Sequence, residues 1–398
     1  MQSYCLRSPP GISLQEIEYK QLQMFDFENV IQQIELIDPR TVCVVGKHKS
    51  GRCEILELSL PEKLTVAPCN EGLVKNSDLK MRSGGFTIAP VFQVNYENYS
   101  PQACSPSSSL ADTEGTAENR DRDTDHAQPT AEGDLITRFG SLTCEFVTPH
   151  LALNGQELVL LTAATQRDLV VIDLTVNTTL YKLSVNSING SQCGLEPSFV
   201  SENLAALCDK NSGSVFLNDV RAGKMCQNFS PAQQHLGTEG RVTGELWTVR
   251  TSYNSKGSLS WASSGNINSK LGLASTMGKL IIYDLRNTDI AVCEADIGRV
   301  TGIQPCTDNP NSHLPVINFS PDVETQVSLS GFDEHVYIYD VSCTEKFKTI
   351  FVHDGHLKQS GQVKCCVTSH IWYKENTVIS ASDNSGLHCW QFIPDALP

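Results

Sequence analysis

Six times along the chain a short apolar run gives way to a polar hairpin and then to a strand that usually ends on an acidic residue. The instances read TVCVVG-KHKSGR-CEILELSL, LVLLTA-ATQRD-LVVIDLT, LAALC-DKNSG-SVFLNDVR, LGLAS-TMG-KLIIYDLR, QVSLS-GFDEH-VYIYDVS and TVISA-SDNS-GLHCWQF. Alternation of period two marks a half-buried strand, and a short continuous apolar run between turn residues marks a fully buried one. Each instance therefore predicts two adjacent antiparallel strands.

Taking Glu57, Asp173, Asp219, Asp284, Asp340 and Gln391 as equivalent positions gives spacings of 116, 46, 65, 56 and 51 residues. A four-stranded unit repeating every ~40–45 residues is the signature of a β-propeller. The first spacing holds two periods, which places a seventh unit between about residues 60 and 151. Its opening matches SGGFTIAPVFQVNYE, where strand-like alternation runs over 86–96. The expectation is an all-β, seven-bladed propeller over 29–398 whose second blade is degenerate or interrupted.

The interruption is the segment 97–134, rich in Ser, Pro, Thr and Ala, with nine acidic and two basic residues. Too little apolar surface is present there to offset an ordering cost of about 1–2 kcal/mol per residue, so a disordered acidic insert is expected.

The two ends of the chain complement each other. The final unit runs through three strands and stops without an outer one, while the alternating stretch LQMFDF (22–27) has no local partner. Pairing the two closes a ring and protects an exposed strand edge. Just before it, SLQEIEYKQLQMF places Leu14, Ile17 and Leu22 on one face of a short helix, so 1–28 is read as a short helix followed by a ring-closing strand.

The strand ends NDVR (218–221), YDLR (283–286) and HCWQ (388–391), together with Gly355-His356 ahead of SASDNSGLHCW, resemble WD-repeat proteins. That resemblance implies a buried hydrogen-bonded set of His356, Ser380 (or Ser382), Asp383 and Trp390. Asp383 accepts from the imidazole, the imidazole takes up the hydroxyl, and Trp390 supplies packing and one indole donor. Such a set holds a blade together and catalyses nothing.

The segments YKQLQMFDFENVIQQIELI, EILELSLPEKLTV, DLKMRSGGF and TVISASDNSGLHCWQF resemble one branch of that family along nearly the whole chain. The narrower resemblance implies a cytoplasmic adaptor with spindle-pole and nuclear pools and a role in cell proliferation. It also implies a monomeric propeller that joins a complex. Integrator endonuclease subunits are the first expected partners, and the resemblance also implies microtubule-associated proteins.

Composition is consistent with that picture. Hydrophobic residues are 40% and charged residues 19%, as in a globular protein with a substantial core. A formal charge of −15 argues against general binding to nucleic acid or an anionic membrane. No apolar stretch reaches the ~20 residues of a membrane span, and the N-terminus has no apolar signal core. The fifteen cysteines are odd in number, scattered and without a CxxC pair, so Cys43, Cys208 and Cys389 read as reduced, buried small hydrophobes.

No phosphate-cradling loop, HExxH or GxSxG occurs, so neither an enzyme nor a cofactor is expected. A glycosidase-like propeller is the enzymatic alternative, but its hairpin box is out of register at Ser382, Asp383 and Gly386. Carboxylates at strand ends default to turn capping. His353 and His356 suggest a metal pair, yet a third ligand is not apparent nearby and no metal is expected. Asp219 with Arg221 and Asp284 with Arg286 resemble the docking motif of cullin-4 ubiquitin-ligase substrate receptors, although Asn218 and Tyr283 replace its Trp. The bland alternative pairs each Arg with a carboxylate of the adjacent blade.

Overall fold

The computed structural model describes residues 19–38, 40–48, 52–61, 79–87, 149–154, 158–163, 168–173, 178–184, 194–201, 204–220, 222–230, 245–252, 270–297, 314–342, 348–356 and 365–394. Of 149–184 only the strand backbones are described. The chain is an all-β propeller of four-stranded antiparallel sheets. Among the described residues no helix is long and apolar enough to cross a membrane.

Strand β1 (Tyr19–Asp26) precedes the first sheet, which is β2–β5 (Val30–Asp38, Thr41–Lys47, Cys53–Ser59 and Lys80–Thr87). The second sheet is β6–β9 (Pro149–Asn154, Leu158–Ala163, Asp168–Asp173, Thr178–Ser184). The third is β10–β13 (Leu195–Ser201, Leu204–Asp209, Val215–Asp219, Lys224–Phe229) and the fourth β14–β17 (Trp247–Thr251, Lys270–Ser275, Lys279–Asp284, Asn287–Asp296). The fifth is β18–β21 (Val316–Phe319, Gln326–Ser330, Val336–Asp340, Lys348–His353). The sixth comprises β22–β24 (Val367–Lys374, Thr377–Ser382, Gly386–Phe392), with β1 as its outer strand.

The apolar faces of neighbouring sheets meet to form the core. Leu217 and Val215 of the third sheet pack with Trp247 and Leu273 of the fourth, and Ile282 and Leu280 of the fourth with Phe319 and Leu329 of the fifth. Ile338 and Phe351 of the fifth meet Trp390 and Val378 of the sixth. On its other face the sixth sheet presents Ile379 and Leu387 to Ile34 and Val44 of the first. Each fully buried aliphatic or aromatic side chain contributes about 1.5–3 kcal/mol, so every sheet is held mainly by its neighbours. Tight turns keep the strands in register. Gly331, at φ +97°, approaches Pro315 so closely that an added Cβ would lie 2.9 Å from its Cα.

The inner strands follow one another in space as β6, β10, β14, β18, β22 and β2. Between the first sheet and the second, the described strands make no comparable contact. Cys43, Val45, Cys53 and Ile55 alternate with the residues facing the sixth sheet, so they lie on the opposite face of the first, and they too are buried.

Six four-stranded sheets stand among the described residues, five of them described to their side chains, and most of the stretch expected to hold a seventh lies outside those residues. Two expectations change. Phe86 and Thr87 do not open a second blade. They end the outer strand of the first, because strand periodicity alone does not say which blade a strand joins. Residues from Tyr19 onward are strand, with Leu22 opposite Trp390, so the expected helix does not extend past residue 18, and Leu14 and Ile17 lie outside the described residues. The β-ladder to β24 overrides local helical periodicity there. The insert 97–134 also lies outside the described residues.

Candidate functional site

Among the described residues a cluster of chemically capable side chains lies where the sixth sheet meets the fifth. His353 ends β21, His356 follows in the turn after it, and Ser380, Ser382, His388 and Trp390 sit on β23 and β24. The pattern S-x-S puts both hydroxyls on one side of β23, since side chains alternate along a strand.

Hydrogen-bond donors and acceptors order the cluster. Trp390 Nε1 donates to Ser380 Oγ (3.0 Å), and Ser380 lies 2.8 Å from His356 Nε2. His356 Nδ1 is 2.9 Å from Ser382 Oγ, which donates to Asn384 Oδ1 (2.5 Å). With the Ser382 proton on Asn384, His356 carries its proton on Nδ1 and accepts from Ser380 at Nε2. A second relay crosses the seam. Tyr19 donates to Asp354 Oδ1 (2.9 Å), so the His353 Nδ1 proton points at the Tyr19 oxygen (2.8 Å) and His353 Nε2 accepts from His388 Nδ1 (3.2 Å).

The rings stack as well. His353 lies 4.6 Å from Trp390 with planes 11° apart. Burial holds the imidazoles neutral. His353 and His356 are pushed well below the usual histidine range by desolvation and then by their imidazole neighbours, and His388 is pushed down to about 4 by desolvation.

His356, Ser380 and Trp390 thus share one relay, but Asp383 stands outside it. Its carboxylate accepts the backbone N–H of Cys366 (2.9 Å), while Ser382 and, beyond it, Asn384 serve the imidazole. Adjacent side chains in a tight turn point apart, so the neighbour of Asp383 reaches where Asp383 does not.

The separation of Ser380 and His356 suits a nucleophile and base, yet both are fully buried, no carboxylate orients the ring, and the imidazole has lost its basicity. The third imidazole near His353 and His356 is His388, which sequence spacing does not reveal. Ligating atoms of the three lie within 4.8 Å of one another. However, His356 uses both nitrogens on serines and lies parallel to His388, so their lone pairs do not converge on one point as coordination requires.

A similar clamp joins the fifth and sixth sheets. His370 on β22 is held by Ser330 at Nδ1 (2.8 Å) and Ser328 at Nε2 (2.7 Å), a second S-x-S strand, and burial lowers its pKa to about 3. Neither S-x-S motif needs catalysis to account for it.

Strand-end carboxylates cap turns. Asp219 accepts the N–H of Ala222 (3.1 Å), Asp284 that of Arg286 (2.9 Å) and Asp340 that of Ser342 (2.8 Å). Arg286 forks onto Asp284 of its own blade at 2.9, 3.0 and 2.5 Å, not onto the adjacent blade, because a two-residue offset across the turn is the shorter reach. Arg221 lies outside the described residues. On the inner strands, the buried Glu196 carboxylate pairs with Arg250 (2.9 Å) and accepts from Thr248 (2.9 Å). A glycosidase needs two carboxylates flanking one bond, and here a guanidinium and a hydroxyl occupy the surroundings of Glu196.

No protein-family model matches the chain. It is similar over nearly its whole length to proteins named Integrator complex assembly factor WDR73. The zebrafish (Danio rerio) protein is 28% identical over 392 residues, with 94% of each chain covered. The Xenopus laevis protein is 26% identical over 400 residues (94% and 95% covered), and the human protein 24% over 403 (96% of each).

Proposed function

We propose that this chain, a WD-repeat protein, is a non-enzymatic scaffold that acts in assembly of the Integrator complex. The observation that carries the reading is the collinear similarity to proteins bearing that name, which covers 94% or more of either chain. The site supports the same reading. The candidate catalytic groups on the described strands are engaged in buried hydrogen-bond relays that fasten sheets together. A propeller offers loop and edge surfaces for the ~1,200–2,000 Å² of a stable protein interface.

The finer assignment is part of the proposal. Integrator endonuclease subunits are the first partners, the protein acts as a monomer within the complex, and it is cytoplasmic with nuclear and spindle-pole pools. The ring has seven blades. The unit missing from the described strands is drawn from the chain between β5 and β6, and the buried outer face of the first sheet supports a neighbour there.

Affinity purification of the tagged protein from cells, with mass spectrometry of what is bound, tests the function. Recovery of Integrator subunits is expected, and also with an Arg221→Ala/Arg286→Ala bait. Their absence from the wild-type bait would refute the assembly role. Recovery instead of a cullin-4 adaptor, lost from the double mutant, would favour the ligase reading.

A further inference from the structure

The outer strand of the first sheet is exposed and carries basic and apolar side chains in an acidic protein. Lys80 to Phe86 are all exposed along β5, with Met81 at 69% and Phe86 at 50%. β5 pairs with β4 on one side, and among the described residues no strand pairs with its other edge. Folding gathers basic groups that are separated in sequence. Lys80 and Arg82 lie towards one end of the strand. At the other end Arg52 sits 4.6 Å above the Phe86 ring, His48 packs edge-on against it at 5.6 Å, and exposed Lys47 flanks them. No Lys/Arg run in the sequence announces this patch.

The centre of the strand is Gly84-Gly85. A Cβ added at Gly85 would meet nothing within 4 Å. Glycine inside a strand weakens it, and it often marks a place where another backbone comes close. An edge without side chains at its middle, apolar groups on either side and cations towards both ends matches the geometry of strand addition. Backbone pairing there gives affinity, and alternate side chains give selection.

We propose that β5 is a docking edge that takes up an extended acidic segment of a partner protein as a fifth strand of the first sheet. The partner's carboxylates meet Lys80 and Lys47, and its apolar side chains cover Met81 and Phe86. The chain as a whole carries −15, so an acidic segment is repelled from most of the surface and attracted to this edge. The proposal builds on the scaffold reading by adding the partner's chemistry, but its test uses purified protein alone. Its failure would leave any recovery of Integrator subunits from cells untouched.

The probe is a fluorescein-labelled peptide of alternating Glu and Val, titrated with the full-length protein and followed by anisotropy. Its comparison peptides are an N-methylated version, which cannot pair its backbone, and a Lys/Val version. The Glu/Val peptide is expected to bind, with at least about a tenfold loss on N-methylation and a similar loss in Lys47→Glu/Lys80→Glu, whose melting is checked to confirm folding. Equal binding of the N-methylated peptide would overturn strand addition. Equal binding to the charge-reversed variant, or preference for the Lys/Val peptide, would overturn the acidic partner. Sedimentation showing a dimer that excludes the peptide would give the edge to a second copy of the chain. Peptide binding that appears only when 97–134 is deleted would give it to the chain's own acidic segment. Either result overturns the proposal.

Discussion

The imidazoles of His356 and His388 lie face to face, 3.7 Å between centroids and 4° between planes. Two cations do not stack at that distance in a dry interior, and desolvation lowers the pKa of both, so the seam between the fifth and sixth sheets favours neutral histidines. Stability therefore depends on pH. Below about pH 6.5 the unfolded chain takes up protons that the folded chain refuses until about 4 at His388 and about 3 at His370. The folded state is thus fully favoured above about pH 6.5 and loses stability as pH falls beneath it. Thermal melting should be flat above neutrality and should decline between about pH 6.5 and 4, with a shallower slope in His388→Gln. An unchanged melting temperature down to pH 4 would contradict the neutral stack.

The relay assigns unequal roles to Ser380 and Asp383. Ser380→Ala removes the acceptor of the Trp390 indole and the partner of His356 at once, leaving buried polar groups unsatisfied, and should cost about 2–3 kcal/mol. Asp383→Asn keeps an oxygen for the Cys366 N–H and should cost less than about 1 kcal/mol. Denaturant unfolding measures both. The opposite order would restore Asp383 to the imidazole.

Much of the strand architecture was readable because propeller strands carry period-two or fully apolar runs, as in VYIYD and TVISAS. Chemistry was readable only where it is local. His356, Ser380 and Trp390 follow from a motif, whereas His388 joins them through a stack between a turn and a strand 32 residues apart, which no spacing rule encodes. The motif puts Asp383 on the imidazole, but in the turn one residue reverses the direction of a side chain, and Asn384 serves that side instead. For Arg286 the sequence offers an adjacent-blade carboxylate or a docking role, whereas the hydrogen-bond partner in the fold stands two residues away at Asp284. The identity of the strand beginning at Lys80 was hidden because Gly84-Gly85 breaks the apolar pattern that marks the other blades.

Ring closure by β1 depends on Tyr19 as well as on the ladder to β24. Its ring meets Phe351 edge-on at 5.2 Å, while its hydroxyl joins Asp354 and His353, so one side chain of the sixth sheet fastens the outer strand of the fifth. Tyr19→Phe keeps the packing and leaves the buried His353 Nδ1 without its partner, a loss of about 1–3 kcal/mol. Removal of 1–28 should destabilise the whole ring, since β24 then has an open outer edge. Calorimetry of the two variants separates hydroxyl from strand. A truncation that melts like the full chain would refute closure by β1.

The pair Glu196 and Arg250 ties the inner strand of the third sheet to that of the fourth, and both side chains are largely withdrawn from water, at 4% and 17% exposure. Desolvation makes such a pair a poor source of net stability but a costly one to break. Arg250→Met leaves the Glu196 carboxylate buried with the Thr248 hydroxyl still donating to it, and should cost about 3 kcal/mol. Glu196→Gln in that background removes the uncompensated charge and should return part of the loss, although neither variant alone is neutral. The double-mutant cycle should accordingly give a coupling energy of at least about 1 kcal/mol, read from denaturant unfolding. Additive losses would mean that the two charges act independently of each other, and that apolar contacts such as Trp247 against Leu217 and the hydrogen bond from Gln227 to Thr288 hold the third and fourth sheets together without them.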